Sequence, residues 1–395
     1  MMSETFALVG SRRLSRNNSK LLFTIGFLLA SAGHKGTSGG APGADTSFEE
    51  GMLFYANLKQ KDPSLPGNLH PDFLSVYLPS FRFSNRKADG GIYINASKLP
   101  VHKDALLLAE QFHGGWQYLP DFARLLMARN GNQVLGDDLL SPVSRVICWT
   151  PDGAMKETTR DTGGTGQAIR IAVDRGIPVH NLGNPDIRAR YEQRIETMKS
   201  VFANWVDLDA IYDTAVHETG ANMINQSNLL SDENLANIDA IIHGANCAHT
   251  MGAGFARQLV KKFPQALEAD LATPKSPRKL GTYSSVTVEH KGKPLTIINA
   301  YTQKAPANKA QQRSGELVAD YDAIRKVMKA IAKDHPNKKF GMPMIGAGLA
   351  NGCWLTIRNL IGESIPTQSI QVFDISRMER NITLNHDSTN QIKLL

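Results

Sequence analysis

Apolar and polar positions along the first half of the chain predict short buried strands separated by longer helices. A continuous apolar and β-branched run such as 143–150 is typical of a strand buried in a parallel sheet. The predicted strands are 6–9, 73–78, 143–150 and 177–182. The predicted helices are 20–32, 44–55, 104–112, 119–129 and 184–206, together with a helix that the glycine loop 162–166 opens and that continues through Val173. Residues 36–43 and most of 57–100 are predicted as loop. Alternating strands and helices of this kind predict an α/β domain with a mainly parallel sheet.

The second half of the chain repeats the alternation with a different spacing. Its predicted strands are 238–243, 282–288, 295–301, 340–345 and 370–375, and its predicted helices are 251–263, 316–333 and 354–361. The polar segment 290–294 between two of these strands predicts a hairpin and therefore a mixed sheet. We expect two Rossmann-like, three-layer α/β/α domains: residues 1–206, a linker at 207–221, residues 222–376, and a polar tail at 377–395.

Composition places the protein among ordinary globular proteins. The chain has 395 residues, of which 42% are hydrophobic and 21% charged, which excludes a fibre, a coiled coil and a disordered chain. The apolar run 21–30 is interrupted by Thr24 and Gly26 and falls short of the roughly 20 residues that a membrane span needs. The first residues lack the basic and apolar regions of a signal peptide. We expect a cytoplasmic protein without a membrane partner.

Three widely spaced cysteines give no paired metal-ligand or disulfide pattern, so no metal site is expected. The net charge is +7, and residues 255–295 hold eight Lys or Arg against three Asp or Glu. A solvated face explains this surplus best, and attraction of a phosphate-bearing ligand is the alternative. Nucleic-acid binding is a minority hypothesis, because no aromatic RNA-binding signature accompanies the charge.

Three glycine-rich loops of the first half follow predicted strands. A loop without side chains lets backbone N–H groups approach an anion, and a helix that starts there adds partial positive charge. The carboxyl ends of parallel strands lie at one edge of a sheet, where we expect these loops to form a ligand site. The candidate residues are Gly10, Ser11, Arg12, Gly39, Gly40, Ala41, Gly43, Ala44, Asp45, Gly163, Gly164 and Thr165. Neither GxGxxG nor GxxxxGK[ST] is present, which argues against a conventional dehydrogenase or ATPase.

The sequences GSR at 10–12, GGAPGAD at 39–45, TGGTGQAIRIA at 162–172 and IPVHNL at 177–182 resemble the SLOG superfamily. This resemblance covers about residues 5–183. It implies a nucleotide or nucleotide sugar at the three loops and a homo-oligomer formed through this domain. The stretch TGGTGQAIR lacks the glutamate of the phosphoribohydrolase members, which argues against that activity. The DNA-processing members of the superfamily suggest single-stranded DNA binding as a third functional hypothesis.

Motifs of the second half describe a clamp for a diphosphate. DAIIHGAN at 239–246 is a strand that ends in Asn, MGAGFAR at 251–257 is a glycine loop that opens a helix, and MPMIGAGL at 342–349 is a second glycine loop after a strand. Two such loops can grip a diphosphate from both sides. With NAYTQ at 299–303, this pattern resembles a macro domain, the ADP-ribose-binding module, over about residues 222–376.

The macro-domain resemblance implies roles for individual residues. Asn246 matches the asparagine that contacts the distal ribose, and Asn228 stands where an aspartate usually recognises adenine. An Asn amide can also bond an adenine edge. The residues that match the two phosphate loops are Gly252, Ala253 and Gly254, then Ile345, Gly346, Ala347, Gly348 and Leu349.

The resemblance leaves catalysis open. Hydrolytic macro domains carry an aspartate in or just after the second glycine loop, whereas residues 349–354 read LANGCW. Asn246 and Lys304 are the candidate catalytic residues, with Lys304 as a nucleophile, as in a lysine-using subgroup; a solvated surface lysine is the alternative. We expect no required cofactor. Our first hypothesis is a protein that senses or sequesters ADP-ribose or a related NAD-derived nucleotide, such as a signal of TIR-type immunity. The alternative is an ADP-ribosyl hydrolase.

Overall fold

The computed structural model of the protein describes residues 3–84, 86–219, 224–225, 227–365 and 369–374. The chain divides into two compact units, unit 1 (Met1–Ala215) and unit 2 (Val216–Leu395). This division falls within the segment 207–221 that was predicted as a linker. The predicted tail 377–395 and Ile375, the predicted end of the last strand, lie outside the described residues. Both units are built from α-helices and a β-sheet, so the predicted α/β class is confirmed.

Unit 1 contains a six-stranded sheet in the order β6-β3-β2-β1-β7-β8, and all its paired strands are parallel. The sheet strands are β1 (Thr5–Gly10), β2 (Lys35–Ser38), β3 (Leu74–Leu78), β6 (Tyr93–Asn95), β7 (Arg145–Trp149) and β8 (Val179–Asn181). A separate antiparallel ribbon is formed by β4 (Arg82–Phe83) and β5 (Arg86–Lys87). The strand order reverses between β1 and β7, and such a reversal opens a crevice at the carboxyl ends of the strands.

The helices of unit 1 agree with the predicted ones in number and place, with small shifts at their ends. They are α1 (Arg16–Ser31), α2 (Ala44–Lys61), α3 (His102–Gln111), α4 (Asp121–Leu135), α5 (Thr165–Asp174) and α6 (Pro185–Phe202). A further helix, α7 (Ile211–Thr219), lies in the segment predicted as a linker. Tyr212 of α7 is buried and packs edge-on against Phe23 of α1, with ring centroids 5.6 Å apart. Residues 211–219 of the predicted linker are therefore helical, and the start of this helix is part of the core of unit 1.

The loop prediction for residues 36–43 was wrong over its first part, because residues 36–38 belong to the central strand β2. A Cβ added to Gly36 would lie 2.5 Å from Met52 Sδ and 2.7 Å from Leu8 Cδ1. Glycine is needed at position 36 because α2 packs closely on the sheet there. The sequence pattern had indicated a loop at this position. The loop prediction for 57–100 missed β4, β5 and β6, since strands this short produce no alternating pattern.

Unit 2 contains a mixed six-stranded sheet in the order β11-β12-β10-β13-β14-β9. The edge strand β11 is antiparallel to β12, and the other paired strands are parallel. The strands are β9 (Ile224–Asn225), β10 (Ala240–Asn246), β11 (Tyr283–His290), β12 (Lys293–Gln303), β13 (Phe340–Pro343) and β14 (Ile370–Phe373). The predicted hairpin is confirmed, with its turn between His290 and Lys293.

Helices cover the sheet of unit 2, and the short ones escaped sequence analysis. They are α8 (Asp232–Ala236), α9 (Gly254–Lys262), α10 (Gln265–Leu271), α11 (Lys309–Ser314), α12 (Tyr321–Asp334) and α13 (Trp354–Gly362). The helix predicted from 316 starts at Tyr321, because the Asp320 side chain accepts from the N–H of Ala323 and caps the helix there. Across the described residues, none of the helices combines the length and the apolarity that a membrane crossing requires.

Candidate functional site

The first two glycine loops of unit 1 meet at the carboxylate of Asp45. Its Oδ1 accepts from the N–H of Gly10 at 3.1 Å, and its Oδ2 accepts from the N–H groups of Gly39 and Ala41 at 3.2 and 3.4 Å. Asp45 is only 3% exposed, and Arg129 Nη1 lies 3.9 Å from its Oδ2. The backbone donors that the sequence assigned to a bound phosphate therefore hold an anion that belongs to the chain itself.

Burial dominates the electrostatics of this carboxylate. It raises the pKa of Asp45 to about 6, against the lowering effect of Arg129 and of the backbone N–H groups. A second buried ion pair lies alongside, since Arg86 Nη2 and Nε donate to Glu49 Oε2 at 2.7 and 3.0 Å. Ser38 donates to the other oxygen of Glu49 at 2.7 Å. This edge of unit 1 is thus filled by its own charges.

Other predicted residues of these two loops serve chain packing. The N–H of Ser11 donates to the Trp149 carbonyl at 2.9 Å, and the N–H of Ala44 donates to the Ser11 carbonyl at 3.1 Å. Gly43 has φ +102°, and a Cβ there would lie 2.5 Å from the Ser11 oxygen. Gly40 has φ +65° and approaches Leu78, while Arg12 is exposed. The glycines here bring the two loops together.

The third loop of unit 1 is open by comparison. Gly163 and Gly164 are exposed, and a Cβ added at Gly163 would meet no atom within 4 Å. Helix α5 starts at Thr165, and no side chain caps its first turn. Asp152 fixes the preceding segment by accepting from Thr150 and Thr159 at 2.6 and 2.8 Å and from Thr162. The third loop therefore keeps the exposed helix start that the first two loops lack.

In unit 2, the strand β10 ends at Asn246, whose amide organises the turn that follows. Its Nδ2 donates to the Thr250 carbonyl at 2.7 Å, and its Oδ1 accepts from the N–H of Ala248 at 3.0 Å. Asn246 is only 6% exposed. The structure thus gives this side chain a turn-forming task, and its contact with a ribose stays a prediction.

The first glycine loop of unit 2 leads into helix α9. Gly252 and Ala253 are exposed, and no side chain caps the first turn of the helix. A Cβ added at Gly252 would meet no atom within 4 Å. The uncapped start of a helix presents N–H groups and partial positive charge to an anion. This loop could therefore hold a negatively charged group from outside the chain.

The second glycine loop of unit 2 lies beside the first. A Cβ built on Gly254 would lie 3.5 Å from Leu349 Cδ1, so residues of the two loops are neighbours. Ile345 and Ala347 are buried, and a Cβ added at Gly346, which has φ +69°, would lie 3.1 Å from Ile357 Cδ1. Gly348 and Leu349 are exposed, and the space around Gly348 is open. The loop consists of a packed base at 345–347 and an exposed rim at 348–349.

The remaining predicted residues of unit 2 occupy separate positions. Asn228 Oδ1 accepts from the N–H of Leu230 at 2.9 Å and shapes the turn before α8. Lys304 follows β12 and is exposed, and its carbonyl accepts from the N–H of Cys247 at 3.2 Å. Lys304 therefore lies at the same sheet edge as Asn246. The ligand contact of Asn228 and the catalytic role of Lys304 stay predictions.

A buried polar cluster behind the first glycine loop was missed by sequence analysis. It is formed by Asp270, Lys279 and Tyr301. The sequence analysis predicts that Lys279 is one of the cations of a solvated face. Lys279 is only 9% exposed, so that assignment was wrong for this residue. The three positions are far apart in the sequence and carry no recognisable spacing. Within the described residues, no group of three or more His, Cys, Asp or Glu side chains is arranged to hold a metal ion.

Several solved structures are similar to part of the chain. A protein of unknown function from Bacteroides thetaiotaomicron is 26% identical, with 38% of this chain and 95% of that chain covered and a TM-score of 0.30. The macrodomain of Thermus aquaticus DarG is 18% identical over 38% of this chain and 95% of that chain, with a TM-score of 0.31. Thermosipho africanus DarTG, solved in complex with ADP-ribose, is 14% identical over 36% of this chain and 39% of that chain, with a TM-score of 0.30.

The sequence itself also has a curated relative, although no family model matches the chain. It is 35% identical over 127 residues to an uncharacterized 17.5 kDa protein in the tk-vs intergenic region of Enterobacteria phage T4. The match covers 31% of this chain and 76% of the phage protein. With that identity over most of the relative's length, the chain belongs to the family of this T4 protein.

Proposed function

We propose that unit 2 binds ADP-ribose, or a closely related NAD-derived nucleotide, at the carboxyl edge of its sheet. The observation that carries the proposal is the pair of neighbouring glycine loops, 252–254 and 345–349, each with an exposed glycine and open space around it. The uncapped start of α9 supplies backbone donors on one side. A diphosphate between two such loops accepts hydrogen bonds from both without the desolvation of a side-chain charge.

The macro-domain motifs of the sequence point to the rest of the ligand. Asn246 and Lys304 lie at the strand ends next to the first loop, where a ribose attached to the diphosphate would extend. Asn228 shapes a turn after β9, and β9 is at the far edge of the same sheet. In this arrangement the diphosphate binds to the glycine loops. One end of the nucleotide extends toward Asn246 and Lys304, and the other end extends toward Asn228.

We propose capture of the ligand in preference to its hydrolysis. Residues 345–354 contain no carboxylate that could activate a water molecule, and the Lys304 side chain is exposed to solvent. A nucleophilic lysine needs burial or a neighbouring cation to lose its proton at neutral pH. Sensing or sequestering a nucleotide signal, for example one of TIR-type immunity, requires only this binding. The ligand of unit 1 and oligomer formation through it stay predictions.

Calorimetric titration of ADP-ribose into the full chain tests the proposal, with the ligand then recovered and weighed by mass spectrometry. The variants Gly252→Glu and Gly348→Glu place a carboxylate in space that is open in the structure, so they should fold. We expect each to weaken binding about 100-fold or more, because like charges brought together at an interface cost several kcal/mol. Gly114→Glu is the matched control, since Gly114 is also exposed with nothing within 4 Å.

The outcomes separate the alternatives. Binding of unchanged ligand, lost in both loop variants and kept in Gly114→Glu, supports capture. A recovered ligand of altered mass would replace capture by hydrolysis. Wild-type protein that binds no ADP-ribose would overturn the proposal, as would loop variants that bind like the wild type.

A further inference from the structure

Asp270, Lys279 and Tyr301 form a buried charged cluster in unit 2. Lys279 Nζ donates to Asp270 Oδ1 at 2.8 Å, and the Tyr301 hydroxyl donates to the same oxygen at 2.8 Å. The ammonium also lies over the Tyr301 ring, 4.0 Å from its centroid. Asp270 is fully buried and Tyr301 is 1% exposed. Such a pair needs good geometry to repay the cost of removing two charges from water.

The cluster is in contact with the turn that carries the first glycine loop. His249 lies in that turn at φ +59°, a conformation that a non-glycine residue adopts at a cost. Its Nε2 is 3.5 Å from Thr273 Oγ1 and 3.8 Å from Asp270 Oδ1. Thr273 Oγ1 in turn accepts from Lys279 Nζ at 3.0 Å. Thr273 and His249 thus connect the cluster to the turn that precedes the first glycine loop.

The second oxygen of the Asp270 carboxylate, Oδ2, has a different environment from Oδ1. Among the described residues, Asp270 Oδ2 is buried without a hydrogen-bond partner. A buried acceptor without a partner is costly, so the carboxylate contributes less to stability than an apolar side chain of the same size could.

We infer that Asp270, Lys279 and Tyr301 are positioning residues for the turn and glycine loop at 247–253. The inference rests on the proposed function, since it assigns the cluster to the phosphate-binding side of that site. The cluster supports the strained turn at His249 and so holds the loop that follows it, in which Gly252 and Ala253 are exposed. The cluster itself touches no ligand.

Cys247 provides a reporter for this inference that needs no ligand. It follows Asn246 in the turn, is 3% exposed and packs with Tyr301, so its thiol reacts with iodoacetamide only when the turn opens. Burial raises the pKa of the Cys247 thiol, which slows the reaction further. Cys148 and Cys353 are fully buried and serve as internal references in the same mass spectrum.

The test uses two variants of the full chain. Asp270→Asn with Lys279→Met removes both charges while keeping the side-chain volumes, so neither charge is left buried alone. Tyr301→Phe removes only the hydroxyl. We expect both to raise the rate of Cys247 alkylation about tenfold or more and to weaken ADP-ribose binding by about tenfold, as a shift of the turn would cost roughly 1.4 kcal/mol.

The control is a solvent-accessible ion pair at the opposite ends of β10, which precedes Cys247, and β12, which carries Tyr301. Lys293 Nζ lies 3.3 Å from Asp239 Oδ1 where β12 and β10 begin. Asp239→Asn with Lys293→Met should leave both the alkylation rate and the affinity unchanged. An equal melting temperature of the cluster and control variants shows that the effect is local.

Unchanged alkylation of Cys247 in both cluster variants would overturn the inference, as would faster alkylation with wild-type affinity. A wild-type protein that binds no ADP-ribose defeats the proposed function alone, because the alkylation rate still reports whether the cluster fixes the turn. Faster alkylation with weaker binding, absent from the control, supports the positioning role. The role is also supported if Tyr301→Phe shows a smaller form of the same two changes.

Discussion

The two units carry glycine loops at the carboxyl edge of a parallel sheet, but they use the backbone donors differently. In unit 1, the N–H groups of Gly10, Gly39 and Ala41 donate to the buried carboxylate of Asp45. In unit 2, Gly252 and Gly348 are exposed and have open space around them. An internal anion occupies the donors of the first two loops of unit 1, whereas the third loop of unit 1 and the loops of unit 2 have exposed glycines.

This difference indicates why a glycine loop alone does not predict a phosphate site. Glycine allows close approach of an anion, but an acid a few residues further on can occupy the same donors. GGAPGAD carries that acid in its last position, whereas MGAGFAR carries none. Three stability measurements test how far the first two loops of unit 1 depend on their own buried charges and on the close packing of their glycines.

The largest effect is expected from Glu49→Gln in unit 1. The substitution leaves the guanidinium of Arg86, 8% exposed, buried without its charged partner. We expect the free energy of unfolding to fall by about 3–5 kcal/mol, the usual result of removing one member of a buried pair. Urea denaturation followed by tryptophan fluorescence measures this, since three of the four tryptophans lie in unit 1.

Glu192→Gln serves as the comparison for that measurement. Glu192 pairs with Arg188 at 2.7 Å on the exposed face of α6. A surface pair contributes at most about 1 kcal/mol, so we expect a small change. Equal effects of the two substitutions would contradict the view that buried charges build the edge of unit 1.

The next effect is a pH dependence of the stability of unit 1. The folded-state pKa of Asp45 is raised to about 6, above its value of 3.8 in the unfolded chain. Between these values the folded protein holds a proton that the unfolded chain has lost, so stability falls as pH rises from 4 to 6. The expected loss is about 2–3 kcal/mol, and it levels off above about pH 6.

Urea denaturation at a series of pH values measures this slope, with Asp45→Asn as the variant that should remove it. Asparagine does not titrate, so its contribution is the same at pH 4 and pH 7. A wild-type stability that rises between pH 4 and 6 in step with the variant would show that Asp45 is ionised throughout.

The smallest effect on the stability of unit 1 is expected from glycine substitutions, which compare a packed loop at Gly43 with the exposed loop at Gly164. Gly43→Ala forces a Cβ into contact with the Ser11 oxygen at a φ of +102°, and we expect a loss of about 2 kcal/mol. Gly164→Ala meets only Met127 Cε, at 3.6 Å, and should change stability by less than about 0.5 kcal/mol. The same urea denaturation compares them, and equal losses would argue against packing as the reason for Gly43.

Sequence patterns predicted the long elements well because their hydrophobic faces extend over many residues. The helices α1, α2, α12 and α13 and the strands β1, β7, β10 and β12 all lie where the pattern put them, with small shifts at the ends. The short elements β6, α8 and α10 escaped prediction because three to seven residues contain too few repeats of a helical or alternating pattern to stand out from their surroundings.

The candidate site of unit 2 was predicted from local motifs, and its loops do come together. Gly254 and Leu349 are 95 positions apart in the sequence, yet a Cβ at Gly254 would lie 3.5 Å from the Leu349 side chain. Adjacency of β10 and β13 in the sheet causes this, since each loop follows one of the two strands.

The sequence by itself determined the α/β class, the glycine loops and the long helices and strands, because each depends on residues close together along the chain. Only the tertiary structure decided which backbone donors are occupied and which charges are buried. Asp45 reaches N–H groups of two different loops, and Lys279 reaches Asp270 and Tyr301, through contacts between residues of separate segments. Burial and the pairing of charges depend on these distant contacts, and no local pattern encodes them.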